Sequence, residues 1–313
     1  MDPAPIAIEL RHLRYFLAVI EELHFGRAAE RLHIAQPPLS QAVLKLEDEL
    51  GVRLLHRTSR VVTATEAGEV FAAEARRVLA TFDAAVAEAR QAGGGSWDLR
   101  IGCTPYVPMG RLKRFLDALH ELQLTAHPRV NYFIAVEQLR RLREADLDLG
   151  IFPGASEHDD IETEPLFPAE PWAAFLPADH PLAVKDVIGP DDLREEVLIT
   201  FPRAMNPGIY DALLSQAEAA GYRFASMREA SGPEPRDHLL AVVERRGVVF
   251  GPQSMEQLSE DGAVAMRPLA PPGLSMPDVV LGWRAHPPAR LRPILAAIRE
   301  SARKLRRGFG DGT

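Results

Sequence analysis

The sequence has one cysteine, no long apolar run and no recognisable secretion signal. Because Cys103 is the only cysteine among 313 residues, an intramolecular disulfide framework and a zinc site of the CxxC type are excluded. No stretch approaches the roughly 18 consecutive apolar residues of a transmembrane helix. The N-terminal segment MDPAPIAIEL lacks the basic region and apolar region of a signal peptide. We therefore expect a cytoplasmic protein that does not associate with a membrane.

Common catalytic signatures are also missing from the chain. GxSxG, GxGxxG, P-loop and HExxH motifs do not occur. His158 stands beside Asp159 and Asp160, but GASEHDDIE has the composition of an exposed loop rather than of a metal site. We expect neither an enzyme nor a bound cofactor or metal.

What is present is an ordinary soluble composition with an uneven distribution of charge. Hydrophobic residues make up 46% of the chain and charged residues 26%, and the formal net charge is -8. This composition supports folded domains with real cores. One segment nevertheless concentrates basic residues: Arg27, Arg31, Lys45, Arg53, Arg57 and Arg60. Since phosphate attraction depends on where positive charge lies, a basic DNA-binding face is compatible with an acidic total.

Residues 10–51 predict three short helices joined by tight turns. Apolar residues three and four apart predict an amphipathic helix over 10–22, and a second helix covers about 26–32. A third helix buries Leu39, Val43, Leu46 and Leu50 on one face and ends at Gly51. Its start is marked by Pro37 and Pro38, which suit a first helical turn, with Gln36 just outside. The pattern is that of a helix-turn-helix.

A hairpin and a long helix follow. VRLLHRTSRVVTATEAG predicts a two-stranded wing that carries Arg57 and Arg60. From Thr65, a plausible N-cap, a helical pattern runs to Gln91 and ends at AGGGS. Its apolar positions have too little neighbouring chain to cover them: Val70, Phe71, Val78, Leu79, Phe82 and Val86. We interpret this segment as a linker and dimerisation helix, with a glycine hinge after it.

From residue 97 onward, apolar strand patterns alternate with helical ones. LRIGC, RVNYFIAV and LDLGIF read as strands, with RLKRFLDALHEL and EQLRRLREA as the helices between them. This alternation predicts βαβ units and mainly parallel sheets. Two such α/β halves would form a cleft, which is the default location of a ligand site.

These segments together resemble the LysR-type transcriptional regulators over nearly the entire chain. LRYFLAVIEELHFGRAAERLHIAQPPLSQAVLKLEDELGVRLLHRTSRVVTATEAG is similar to that family's DNA-binding signature. LRIG, DLDLGI, FPRAMNPGIYD and LLAVVERRGVVFGP fit its effector domain. The FPR…NPGIYD segment is most similar to the branch that senses aromatic-degradation intermediates.

The resemblance implies an α+β multidomain protein. Residues 1–65 would form a winged helix-turn-helix, residues 66–96 the linker helix and hinge, and residues 97–313 a periplasmic-binding-protein-like α/β effector domain of two subdomains. As in the family, the protein would bind double-stranded operator DNA as a homodimer, with two dimers forming a homotetramer.

Candidate DNA contacts follow from the helix-turn-helix. With its leucine face turned inward, the third helix presents residues near its N-terminal end to the major groove: Gln36, Pro37, Pro38, Ser40 and Gln41. Arg27, Arg31 and Lys45 are better placed for phosphates. Arg57 and Arg60 would enter or flank a minor groove, as the family's wing does. The family often has arginine where Gln41 stands here, so the sequence preference is open.

Candidate effector contacts follow from the resemblance, which implies a small organic acid as ligand. The loop after the first strand supplies Cys103, Thr104, Pro105 and Tyr106, and the FPR loop supplies Phe201, Pro202 and Arg203. Ala135 and Val136 stand where many relatives have a serine or threonine, so one usual anion contact is missing.

Each of these residues has an ordinary structural alternative. Thr104 serves equally well as a strand-end turn residue, and Arg203 as the partner of a surface carboxylate. Because the chain has no second cysteine, Cys103 is better explained as a small buried core residue than as a redox sensor.

A second class of function stays open at this point. The chain could be a solute-binding or catalytic α/β protein whose helical head serves only dimerisation. Such a head has no need of Arg57, Arg60 or an exposed Ser-Gln pair at a helix start, so the sequence favours the regulator.

Overall fold

The computed structural model describes residues 7–57, 62–93, 96–122, 126–154, 159–232, 234–259, 262–270 and 273–307. The chain divides into two compact units. The first comprises residues 1–94 with 143–146, and the second comprises residues 95–142 with 147–313.

The first unit is a small helical cluster with a two-stranded hairpin and one long helix. Its elements are α1 (Leu10–Glu22), α2 (Phe25–Arg31), α3 (Gln36–Leu50), β1 (Leu55–Arg57), β2 (Val62–Ala64) and α4 (Glu66–Ala92). β1 and β2 pair antiparallel, which confirms the predicted hairpin. The inward side chains of the three short helices are fully buried, among them Phe16, Leu39, Val43 and Leu46.

The prolines lie one position deeper in α3 than the sequence predicts. Gln36 is the first helical residue and Ala35 the N-cap, so Pro37 and Pro38 occupy the second and third positions. The prediction that Gln36 lies outside the helix is therefore wrong by one residue. The cause is that the first-turn N–H groups of a helix have no intrahelical acceptor, so proline is tolerated throughout that turn. At the other end Gly51 adopts a left-handed φ of 69°, as a C-cap glycine does.

The long helix α4 begins as predicted at a threonine cap. The Thr65 hydroxyl accepts a hydrogen bond from the Gly68 N–H at 2.9 Å. The predicted apolar stripe divides into two parts. Phe71 packs edge-on against Phe16, with ring centroids 5.5 Å apart, and Leu79 also lies against the helical core. The other part faces outward, with Val70 64% exposed, Val78 49% and Phe82 43%.

The second unit contains two sheets with helices on their faces. Its helices are α5 (Met109–Glu121), α6 (Ala135–Arg143), α7 (Pro207–Ala219), α8 (Pro235–Val243) and α9 (Arg292–Arg307). Its strands are β3 (Trp97–Cys103), β4 (Ala126–Tyr132), β5 (Leu149–Pro153), β6 (Ile161–Phe167), β7 (Glu170–Pro177), β8 (Val197–Thr200), β9 (Ser226–Glu229), β10 (Val248–Pro252), β11 (Val264–Pro268), β12 (Ser275–Met276) and β13 (Val279–Arg284).

The strand order defines a first and a second subdomain. The first subdomain is built on the sheet β4-β3-β5-β13-β6, and the second on β11-β7-β10-β8-β9 with β12 beside β7. The chain passes from the first sheet to the second between β6 and β7. It returns between β12 and β13.

Both sheets are mixed, so the prediction of mainly parallel sheets is wrong. Parallel pairing joins β3 to β4 and β5, and β8 to β9 and β10. Antiparallel pairing joins β13 to β5 and β6, and β7 to β10, β11 and β12. The antiparallel pairs include all four strands that flank the two passages of the chain between the sheets, namely β6, β7, β12 and β13. A strand that arrives from the other subdomain enters its sheet from the opposite end, and local sequence patterns do not reveal that direction.

Among the described residues, no helix is long and apolar enough to span a bilayer.

Candidate DNA-binding surface and effector cavity

The turn between α2 and α3 is short because small residues and local hydrogen bonds hold it. Ala28 and Ala29 are buried at 0% and 3% exposure, which lets α2 pack closely against its neighbours. The His24 ring caps α2, with Nδ1 accepting from the Gly26 N–H at 3.0 Å. In the turn, the Ile34 N–H donates to the Ala29 carbonyl at 3.0 Å. This last bond closes the turn directly before α3, which begins at Gln36.

The N-terminal part of α3 presents an outer surface of polar and ring side chains. Exposed side chains on it are Gln36, Pro37, Pro38, Gln41 and Lys45, and Ser40 is half-buried. The opposite face of the helix is fixed in the core by Leu39, Val43 and Leu46, each 0% exposed. The structure thus brings all the predicted α3 candidates onto one accessible surface.

Glu47 anchors the hairpin to α3, a role that our sequence reasoning missed. Its carboxylate is buried, and Oε1 accepts the N–H groups of Leu54 at 2.9 Å and Leu55 at 3.0 Å. Oε2 accepts from the Arg57 guanidinium at 2.8 Å. The sequence spacing could have indicated that Glu47 is buried, because it stands four residues after Val43 on the inward face of the helix.

Arg57 is held inside this arrangement rather than reaching outward from the wing. Its side chain is 23% exposed, and its guanidinium lies over the Phe25 ring, 5.0 Å from the centroid. The expectation that Arg57 is available to a minor groove therefore does not match its placement. The ion pair with a buried carboxylate holds it against the protein. Arg60, its companion in that expectation, lies outside the described residues.

Arg27 and Arg31 keep accessible guanidinium groups at the edge of the helix-turn-helix. Arg31 Nη1 lies 2.7 Å from Glu21 Oε2, and Arg27 Nε lies 3.6 Å from Glu22 Oε2. More than half of each arginine side chain is exposed, and such surface pairs contribute little stability. These arginines can therefore exchange their carboxylate partners for phosphates at small cost.

A half-open cavity lies within the second unit, where loops of the two subdomains meet. It contains about 470 Å³ of space between protein atoms, its mouth to solvent included. Its walls come from the ends of strands and the starts of helices. The lining residues are Thr104, Pro105, Tyr106, Ile134, Ala135, Pro153, Phe201, Met205, Asn206, Ile209 and Met276.

Five of the predicted effector residues come together in this cavity: Thr104, Pro105, Tyr106, Ala135 and Phe201. The other four do not line it. Cys103 is fully buried at the end of β3, and burial raises the pKa of its thiol to about 12. Val136 points outward with 43% exposure, and Pro202 is half-buried beside the lining. Arg203 binds Asp211 through two hydrogen bonds at 2.8 and 2.6 Å on the surface.

Two helices begin at the cavity wall. α6 starts at Ala135, and α7 starts at Pro207 directly after Asn206, whose side chain caps it by accepting the Ile209 N–H at 3.2 Å. The first N–H groups of a helix lack intrahelical acceptors and carry a partial positive charge. Our sequence reasoning missed Asn206, although an asparagine directly before a proline at a helix start is a recognisable cap.

The described lining of the cavity is mainly apolar, with a few polar groups. Among the described residues that line it, none has a charged side chain. In the same described part of the chain, no group of three metal-ligating side chains lies together. Apolar walls with a few hydroxyl, amide and backbone N–H groups suit a small organic molecule with one polar end.

Comparisons with known proteins agree with both halves of this description. Residues 10–69 match the bacterial regulatory helix-turn-helix protein domain of the lysR family, and residues 92–303 match the LysR substrate binding domain. The uncharacterized HTH-type transcriptional regulator YnfL of Escherichia coli (strain K12) is 42% identical over 66% of this chain and 70% of its own length. The HTH-type transcriptional regulator AlsR of Bacillus subtilis (strain 168) is 35% identical over 80% of this chain and 82% of its own.

A solved structure extends the likeness to a DNA complex. Full-length CbnR, crystallised with its target DNA, covers 95% of this chain and 100% of its own, with a TM-score of 0.72 and 25% identity. The relatives above are named as transcriptional regulators, so the protein is a ligand-responsive DNA-binding regulator and not an enzyme. The chain belongs to the LysR family of transcriptional regulators.

Proposed function

We propose that this regulator binds its operator through the N-terminal part of α3, and that a small organic acid in the cavity changes that binding. We assign DNA binding to residues 1–65, dimerisation to 66–96 and effector binding to 97–313. The protein acts in the cytoplasm on its own DNA sites. The observation that carries the proposal is the accessible polar start of α3 in a chain that also has an apolar cavity bounded by two helix N-termini.

On the DNA side, the support comes from what α3 exposes. Ser40 and Gln41 can donate and accept hydrogen bonds to base edges, and the Pro37 and Pro38 rings can contact a thymine methyl group. The start of α3 also favours a phosphate through its free N–H groups. Around it, Lys45, Arg27 and Arg31 are exposed and suited to phosphates.

Dimerisation is supported by the outward part of α4. Val70, Val78 and Phe82 repeat at intervals of eight and four residues and are 43–64% exposed. A second copy of α4 would remove this apolar surface from water. Two dimers then form a tetramer.

The partial positive charge of backbone N–H groups at helix starts beside the cavity supports an acid as the effector. The start of α6 offers backbone N–H groups to a carboxylate, and the Thr104 hydroxyl lies in the same cavity. The start of α7 adds the Gly208 N–H, because Pro207 has no N–H and the Ile209 N–H donates to Asn206. Phe201 and Tyr210 pack edge-to-face 5.7 Å apart beside it. An aromatic-derived acid fits apolar and aromatic walls of this kind.

Fluorescence anisotropy on the upstream DNA of its own gene and on scrambled DNA tests the DNA-binding assignment. Selective binding is expected to weaken by roughly 1000-fold or more between about 50 and 200 mM salt if six or more phosphates are contacted. Ser40→Ala should reduce the preference for operator over scrambled DNA more than it reduces binding to scrambled DNA. Ser215→Ala, an exposed serine on α7, is the matched control. Equal losses on both DNAs would contradict base reading by Ser40.

A further inference from the structure

The amide of Gln138 joins two segments of backbone inside the first subdomain. Its side chain extends from α6 toward the sheet and is fully buried. Nε2 donates to the Phe133 carbonyl at 2.9 Å and to the Ile151 carbonyl at 3.2 Å. Because both partners are acceptors, the nitrogen end of the amide faces them and both of its protons are used.

Both carbonyls belong to segments that form walls of the cavity. Phe133 lies two residues before Ala135, which lines the cavity and begins α6. The Ile151 carbonyl also accepts the Thr104 N–H at 2.9 Å, and Thr104 lines the cavity as well. Gln138 therefore connects the start of α6 with the strand that holds the loop beginning at Thr104.

Two glycines in neighbouring strands leave the space that the amide occupies. Gly102 of β3 and Gly150 of β5 are paired in register. A Cβ atom on either residue would lie 3.0–3.1 Å from Gln138 Oε1, closer than ordinary van der Waals contact. Glycine within a strand weakens that strand, and here it permits the close approach of a side chain. The two strands therefore accommodate a glutamine at this position in α6.

The amide contributes position more than stability. Among the described residues, Gln138 Oε1 has no hydrogen-bond partner although it is buried. An acceptor left buried and unpaired offsets much of what the two bonds from Nε2 contribute. An apolar side chain of similar length would fill the same space without that cost. What such a side chain would lack is the link between the two carbonyls.

We infer that Gln138 is a positioning residue for the effector, holding the first turn of α6 and the Thr104 loop at the separation at which both bind one carboxylate. This inference rests on the proposed function, in which backbone N–H groups of α6 and the Thr104 hydroxyl bind the acid. Binding groups need to be held within about 0.5 Å of their productive geometry. Gln138 is not among the described residues that line the cavity, so it acts through the Phe133 and Ile151 carbonyls rather than by touching the ligand.

Hydrogen–deuterium exchange measured by mass spectrometry on the full chain tests the positioning role without any ligand. Gln138→Met keeps the approximate length and volume of the side chain but has no donor. Peptides that cover residues 104 and 133–138 should exchange about tenfold or more faster in this variant, because their protected N–H groups depend on the link. Gln138→Asn, whose amide is one methylene group shorter and cannot span the two carbonyls, should act in the same way. Unchanged exchange in these peptides would overturn the inference.

Tyr222→Phe is the matched control for these variants. The Tyr222 hydroxyl lies 2.7 Å from the Ile188 carbonyl and 2.8 Å from the Ala270 carbonyl in the second subdomain. Its removal also breaks a buried link between two carbonyls, but neither carbonyl belongs to a described residue of the cavity lining. Exchange over residues 133–138 should therefore stay at the wild-type rate. Equally fast exchange in Gln138→Met and Tyr222→Phe would indicate a general loss of stability and contradict a local role for Gln138.

Acids and their amides test the consequence for binding, by isothermal titration calorimetry on the full chain. The probes are benzoate with benzamide and pentanoate with pentanamide. The wild type should bind at least one acid more tightly than its amide, because the donors at the α6 start and at Thr104 converge on a carboxylate. Gln138→Met should reduce this preference about tenfold, whereas Tyr222→Phe should retain it. A wild type without the preference, or a preference that survives in Gln138→Met, would overturn the inference.

Operator binding separates this inference from the proposed function. Gln138→Met should bind operator DNA without acid as the wild type does, and should respond less to the acids. If the acids alter the operator complex equally in both proteins, the proposed function stands and the inference fails. Absence of operator binding by the wild type is a failure of the proposed function itself.

Discussion

At the scale of single residues, the Glu47 carboxylate joins three parts of the helical unit. It is buried in α3 and accepts hydrogen bonds from two backbone N–H groups and from Arg57. Arg57 in turn lies over Phe25 at the start of α2. The position of the wing relative to α3 therefore depends on one charged side chain.

Replacing this carboxylate should destabilise the protein. Glu47→Gln removes the charge that Arg57 pairs with and weakens the two bonds to backbone N–H groups. We expect a loss of about 2 kcal/mol in the free energy of unfolding of the helical unit. Urea unfolding followed by circular dichroism measures it. Glu30→Gln, at an exposed position on α2, should change little. Equal stability of the two variants would show that the buried pair contributes nothing.

His238 makes stability depend on pH in a predictable direction. Because burial lowers its pKa from 6.5 to about 4, the folded protein binds fewer protons than the unfolded chain between these values. Stability is then highest above about pH 6.5 and falls as the pH drops toward 4, by about 3 kcal/mol from this group. Thermal unfolding at several pH values should show a shallower decline for His238→Gln than for the wild type. Parallel curves would contradict a buried neutral imidazole.

At the scale of elements, α4 is notable for what it leaves uncovered. Val78 and Phe82 lie one turn apart on the outward surface, at 49% and 43% exposure. An apolar stripe of this kind adds no stability to a helix that stays exposed to water, since it stabilises only by packing against another surface.

A charge in this stripe should oppose self-association. Val78→Glu would bury an unpaired carboxylate in a dimer, and we expect the dimer dissociation constant to rise by about 100-fold or more. Analytical ultracentrifugation over a concentration series measures the change. Asp83→Asn alters the charge on a different side of the helix, where only an exposed ion pair with Arg14 is lost, and should leave association intact. If both variants associate as the wild type does, the stripe is not the interface.

The elements also show why part of the fold was predictable. The double proline, the leucine face and Gly51 locate α3 because each acts within a few residues of itself. The direction of β7 and β13 depends on where the chain enters each sheet, and no local pattern encodes it. Likewise Thr104 and Phe201 could be placed at strand ends from sequence. The bond between Tyr106 and His238 joins residues 132 positions apart and required the structure.

At the scale of the whole molecule, ligand binding and DNA binding belong to different units and must be linked through conformational populations. A ligand shifts such an equilibrium only by its difference in affinity for the two states. The shift required is about 1–3 kcal/mol.

Thr104→Val should separate the two activities. It removes a hydroxyl from the cavity, so the response of operator binding to an effector acid should weaken, while basal operator affinity stays unchanged. Anisotropy with and without acid measures both quantities. Thr163→Val, a threonine of β6 that does not line the cavity, is the control. An undiminished response in Thr104→Val would remove that residue from the effector site.

The two crossings between the sheets also determine the order in which the protein can fold during synthesis. β13 is an inner strand of the first sheet, between β5 and β6, yet it is the last strand of that sheet to leave the ribosome. The first subdomain cannot close until residues 279–284 have been made, whereas the helical unit has its elements complete by residue 92. A nascent chain thus acquires its DNA-binding helices while its sensor is still open.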